Sequence, residues 1–298
     1  MGYKQWLYGC LAGLSALLAS PGLPAQAASQ GIVVPYRYDA EHRIMLPVLL
    51  PNEKTVYYLL DTATHFVGMT NSEVARLGLS VVNKTAIRAF ATSSQLKLPA
   101  TIVHSMKLGT LPLENQWVAI FPNTTGPIGA IGYRAYANRL IHLDPKRKTL
   151  GFYPNDGKFS QNGWKLVTGH ANKYGAIVLE TKIQGVPFDV VIASGINHSL
   201  MGWHAAEALF PGLYKHPPTH KISVSEGLIN EVRSVQAKIL HDVQIGNWHV
   251  GDIAVGITKL PVKEVTGYMN ANLLMLGADV LTRQELVLDF RYWQVWHR

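Results

Sequence analysis

Tyr57-Tyr58-Leu59-Leu60-Asp61-Thr62-Ala63-Thr64-His65 sets a carboxylate and two hydroxyls directly after an apolar run. A carboxylate at the end of an apolar strand is costly to bury unless it is hydrogen-bonded, paired or kept protonated. Burial and charged neighbours are also what tune an acid for proton transfer, so Asp61 is a candidate catalytic group. The competing reading is an Asp that simply opens a turn. A related stretch favours the first reading: Val186 to Ile192 runs into Ala193-Ser194-Gly195, and Ala193 follows Asp61 by 132 positions.

The elements around the two stretches repeat as well. Ile44 to Leu50 and Thr55 to Leu60 flank the turn-rich Pro51-Asn52-Glu53-Lys54, which predicts a hairpin feeding Asp61. Ile177 to Ile183, the turn Gln184-Gly185, and Val186 to Ile192 predict its second copy. Each hairpin is followed by a short helical segment. Asn71 to Leu77 has Asn71 as N-cap and Gly78 as stop, and Trp203 to Leu209 is its counterpart. A gapless repeat of this length points to duplication.

Each half also closes alike. Ala130-Ile131-Gly132 precedes Leu140 to Leu143, Asp144 and Thr149 to Tyr153; Met275-Leu276-Gly277 precedes Leu286 to Leu288, Asp289 and Tyr292 to Trp296. The closing motifs are 145 positions apart, so the second half carries extra chain, and Pro211 to His220 is a candidate place for some of it. Further strands end at Gly109 and Gly246, after Ile102 to Leu108 and Val235 to Ile245. The polar, Gly-containing segment 155–163 reads as a linker. The expectation is an all-β chain of two homologous lobes, residues 32–154 and 164–298, with a cleft between them.

On these residues the chain resembles the aspartic peptidases, the retropepsin and pepsin clan, in a fused two-lobe form. That family carries an Asp-Thr/Ser-Gly loop in each lobe, with an apolar-apolar-Gly strand packed across it. Leu60-Asp61-Thr62 with Ala130-Ile131-Gly132 matches in the first lobe, and Ile192-Ala193-Ser194-Gly195 with Met275-Leu276-Gly277 in the second. The resemblance implies hydrolysis by two carboxylates that share one proton. It makes Asp61 the catalytic acid, makes Thr62, Ala63, Ala193, Ser194 and Gly195 the binding loops, and implies no metal or cofactor. This sequence departs from the pattern at three points. Ala193 cannot titrate where the second Asp is expected, Ala63 adds a Cβ where the family has Gly, and Ala89 to Gln95 lacks the glycine of a flap. Two functions follow: an aspartic-peptidase homologue that acts on peptides, or a pseudopeptidase that binds an extended peptide or protein segment by strand pairing.

Other chemistry-bearing residues are weaker candidates. Asp189 lies on the same strand face as Ala193 but four residues back, over ~10 Å away at strand rise. His65 and His198 follow the two loops and read as turn or surface histidines. His216-Pro217-Pro218-Thr219-His220 cannot form a helix that would put both imidazoles on one face, which argues against a metal site. Asp144 and Asp289 read as turn-forming acids, and Tyr292-Trp293-Val295-Trp296 as aromatic packing on a last strand.

Composition bounds the rest. Of the 298 residues, 48% are hydrophobic and 15% charged, which excludes a disordered chain. The net charge of +8 is dispersed, with Lys146-Arg147-Lys148 as a solvated turn, and no nucleic-acid motif is present. Residues 1–27 have the form of a signal peptide: Lys4, an apolar run from Trp6 to Ala19, and Ala25-Gln26-Ala27 as a cleavage site. The run is too short to be a membrane span. Its Cys10 sits in a poor lipoprotein box, because Tyr8 is bulky and the apolar run continues beyond it. With no other cysteine, the expected compartment is periplasmic or secreted, without disulfides. Oligomeric state is not legible.

Overall fold

The computed structural model describes residues 31–298 apart from 83–84, 91–94, 157–158, 160–161 and 229–231. The expected signal peptide with Cys10, part of the expected linker and the centre of the segment Ala89 to Gln95 lie outside the described residues. Among the described residues, 52% are in strands and 10% in helices, as the short punctuated apolar runs require.

Two eight-stranded sheets carry the duplication. In the first, the order across the sheet is Arg37–Tyr38, Ile44–Leu49, Thr55–Asp61, Gly129–Gly132, Val67–Thr70, Leu111–Phe121, Gln95–Leu108, Ala86–Phe90. In the second it is His170–Ala171, Ile177–Ile183, Val186–Ile192, Leu273–Leu276, Leu200–Gly202, Trp248–Thr258, Arg233–Ile245, Lys221–Val224. Strand for strand, the two orders are the same. Gln184 and Gly185 both take positive φ, the type I′ geometry that suits a two-residue hairpin.

A third, six-stranded sheet joins the lobes. Arg139–Asp144 of the first half pairs antiparallel with Leu286–Asp289 of the second, from Leu140 opposite Asp289 to Leu143 opposite Leu286. Ile141, Phe152, Leu288 and Val295 are buried there, in a core that runs without a break into both lobes. Asp144 and Asp289 cap its tight turns. Asp144 accepts from the Arg147 amide and guanidinium, and Asp289 from the amides of Arg291 and Tyr292.

Three boundaries differ from expectation. Thr70, not Asn71, is the N-cap of the helix Asn71–Arg76, because the preceding strand holds Thr70 extended up to the first turn. The last strand begins at Gln294, since Trp293 takes positive φ in the turn before it. The first-lobe hairpin Ala86–Phe90 with Gln95–Leu108 forms although its sequence offers no glycine. The second lobe also carries a short helix, Val262–Thr266, between the strands Trp248–Thr258 and Leu273–Leu276, where the first lobe has only a loop.

Candidate active-site cleft

Asp61 is placed by the strand that crosses beside it. Thr55–Asp61 runs parallel to Gly129–Gly132, with Asp61 opposite Gly132. A Cβ on Gly132 would stand 2.2 Å from the Phe66 carbonyl oxygen and 2.5 Å from that of Thr64, so only glycine lets the loop after Asp61 fold over this strand. The second lobe repeats the crossing. Ile192 pairs with Leu276, the Ala193 amide donates to the Leu276 carbonyl at 2.9 Å, and the Gly277 amide donates to the Ser199 hydroxyl.

The two loops meet through Thr62 and Ser194. The Ser194 amide donates to the Thr62 hydroxyl at 2.9 Å, and the Thr62 amide donates to the Ser194 hydroxyl at 3.1 Å. Each hydroxyl in turn donates across the boundary, Thr62 to the Ile192 carbonyl and Ser194 to that of Leu60, both at 2.8 Å. Both side chains are buried, so this network satisfies groups that would otherwise be costly. It also makes Asp61 and Ala193 counterparts about the same local two-fold.

Asp61 is half-buried at the cavity wall. Its Oδ1 accepts from the Ala63 amide at 3.2 Å and its Oδ2 from the Thr64 hydroxyl at 2.9 Å. Gly195 of the opposite loop packs on the carboxyl, and a Cβ there would stand 2.6 Å from Asp61 Cγ. Burial raises the Asp61 pKa above the ordinary carboxylate range, against the hydrogen bonds from Thr64 and Ala63 and the nearby Arg43 charge, all of which lower it. Ala193, 1% exposed, offers no titratable group to the other side.

A cavity of about 120 Å³ opens onto Asp61. Its walls are mostly apolar: Ala63, Phe66, Phe121, Ala193, Ile196 and Met275 contribute, as do Pro261 and Val265 from the inserted helical segment. Thr62 and Ser194 do not line it; they hold its floor together from behind. Three residues that sequence reasoning missed complete the site. Arg43 is 1% exposed and ion-paired with Asp39 at 2.8 Å. Glu226 lines the cavity and pairs with Arg233, while Leu228 closes one side. All three lie far from either loop in sequence, and no local pattern marks them.

The other candidates separate. His65 lines the cavity and stacks on Tyr174, and burial lowers its pKa. His198 is not part of the cavity wall; Asp279 raises its pKa from 3.8 Å, too far for a direct hydrogen bond. Asp189 faces an outer groove beside Asn272, and His216 and His220 are exposed. Among the described residues no group of three or more His, Cys, Asp or Glu converges as metal ligands. None of their helices is long and apolar enough to cross a membrane.

These features define a two-lobed β protein whose like-ordered sheets bring the Asp61 and Ala193 loops together beside one cavity. Searches with protein-family models and among curated proteins gave no match. Among solved structures, a retropepsin-like aspartic protease from Rickettsia conorii is similar at 13% identity and a TM-score of 0.33, over 42% of this chain and 90% of that one.

Proposed function

We propose that this chain is an exported pseudopeptidase of the cell envelope, which uses the cleft around Asp61 to bind an extended peptide or protein segment without cutting it. One observation carries the reading: the loop that meets Asp61 through Thr62 and Ser194 presents Ala193 in place of an acid. Hydrolysis by a shared-proton dyad needs one carboxylate to take a proton from water while another gives one to the scissile carbonyl. Asp61 alone supplies half of that. Binding needs only the backbone edges and pockets that the lobes retain.

A second reading, peptide hydrolysis, draws on Glu226, whose residue lines the same cavity. Its carboxylate is engaged by the Arg233 guanidinium and not by Asp61. The deciding experiment is a pH–rate profile on peptide substrates for the natural protein, Asp61→Asn and Glu226→Gln. The pseudopeptidase reading expects no acid-optimum hydrolysis in any of the three. Hydrolysis that disappears in Asp61→Asn would establish the peptidase, and its loss in Glu226→Gln would name the second acid. Export is tested separately, by an intact mass from the native host that places the mature N-terminus at Ala28.

A further inference from the structure

The segment Glu226–Leu228 belongs to the second lobe but is seated in the first. It leaves the strand Lys221–Val224, passes over the Asp61 loop and ends with Leu228 only 3% exposed. The cluster that receives Leu228 otherwise consists of first-lobe residues, among them Leu59, Phe66, Ala89, Leu98 and Phe121. Gly68 makes the room: a Cβ there would stand 2.5 Å from Leu228 Cδ1.

The backbone of the segment is held as a bound strand would be. Glu226 forms an antiparallel bridge with Ile196, and the Gly227 amide donates to the Gly195 carbonyl at 2.9 Å. The Gly227 carbonyl accepts from Arg43 Nη1 at 3.0 Å. Gly227 itself crosses directly above the acid, since a Cβ on it would lie 3.8 Å from Asp61 Oδ2. Its φ of +47° further favours glycine at this point. The segment thus shares the cavity of about 120 Å³ with Asp61, and Glu226, Gly227 and Leu228 all form part of its wall.

We propose that Glu226–Leu228 is an internal ligand of the cleft, and that the external ligand is an extended peptide of the same chemistry, a small residue followed by an aliphatic side chain, which enters by displacing it. The proposal rests on the peptide-binding reading above and names its ligand class. Leu228 marks the aliphatic subsite, Gly195 and Arg43 mark the backbone positions, and closeness to Asp61 demands the small residue. Because only the open fraction of molecules binds, the strap lowers the apparent affinity by that fraction.

The test uses a fluorescently labelled, amidated hexapeptide with the sequence of residues 223–228, Ser-Val-Ser-Glu-Gly-Leu, and a control ending in Asp instead of Leu. Anisotropy titrations compare the natural protein with Leu228→Ser, whose strap has lost its anchor. The expected result is at least tenfold tighter binding of the Leu peptide by Leu228→Ser than by the natural protein, with the Asp control bound at least tenfold more weakly than the Leu peptide. Equal affinity of natural protein and folded variant for the Leu peptide overturns the proposal. Equal binding of the two peptides overturns the ligand class while leaving the peptide-binding reading intact. Should Leu228→Ser not fold, hydrogen exchange on the natural protein decides. The Gly227 amide is expected to exchange faster than the sheet amides of Ile192 and Leu274, and protection equal to theirs overturns the proposal. Asp61-dependent cleavage of the hexapeptide would overturn the pseudopeptidase reading instead, and the tenfold ratio is then expected in KM.

Discussion

Thr62 and Ser194 hold one another across the lobe boundary, each giving its backbone amide to the other's hydroxyl, at 3.1 and 2.9 Å. Because each hydroxyl also donates to a carbonyl of the facing strand, removing either one strands a buried amide and a buried carbonyl together. Thr62→Val and Ser194→Ala are each expected to lower stability by about 1–3 kcal/mol. The double variant is expected to lose less than the two together, because the same network is broken twice. Urea unfolding in a double-mutant cycle measures both statements.

Asp61 links stability to pH. Its folded pKa is raised by burial, so the native state holds the proton more tightly than the unfolded chain does. The protonated acid is accommodated fully below the ordinary carboxylate range. Stability then falls as pH rises from that range through the raised folded value. Asp61→Asn is therefore expected to be more stable than the natural protein at neutral pH, with the difference disappearing in acid. Thermal unfolding of both proteins across pH checks the sign.

Arg43 works in the opposite direction on the same acid. Its charge lowers the Asp61 pKa, and its guanidinium ties Asp39 to the Gly227 carbonyl. Arg43→Met is expected to raise the Asp61 pKa further and to cost about 3 kcal/mol, because it breaks a pair whose arginine is fully buried. Carboxyl-specific titration by NMR, with Asp61→Asn to assign the signal, reads the shift.

Ala193→Asp would set a second carboxylate against the first. With Ala193 in place, Asp61 is expected to titrate in one step. With Asp at 193, two coupled steps are expected, one pushed upward by like-charge repulsion. The variant is expected to be less stable than the natural protein at neutral pH and to recover in acid. A single unchanged step would show that the two loop positions do not sense one another.

The crossing glycines are not equivalent. Gly132→Ala drives a Cβ into two backbone carbonyls, which cannot turn aside, and is expected to cost about 3 kcal/mol or more. Gly195→Ala meets the Asp61 carboxyl, a side chain with some freedom to rotate, and is expected to cost less while disturbing the Asp61 pKa more. Unfolding and titration of the two variants separate these effects.

The sequence by itself determined the duplication, and with it most of the fold. The hairpins ending at Asp61 and Ala193, the Gly132 and Gly277 crossings and the turn acids Asp144 and Asp289 are all local: each depends on alternation, turn chemistry or a glycine within a few residues. The floor of the cleft was legible for the same reason, since Asp61 and the Thr62 and Ser194 hydroxyls belong to the repeated motif. What occupies the space above that floor was decided only in three dimensions. Arg43 reads as an ordinary charged residue beside a turn until the fold buries it with Asp39 and aims it at Gly227. Leu228 reads as one more aliphatic residue until Gly68, 160 positions earlier in the chain, leaves a hole of its shape. The helix Val262–Thr266 carries no mark of its contribution to the cavity through Pro261 and Val265. Period and spacing report what a residue does to its own strand or turn; they carry no information about which distant surface packing will bring against it.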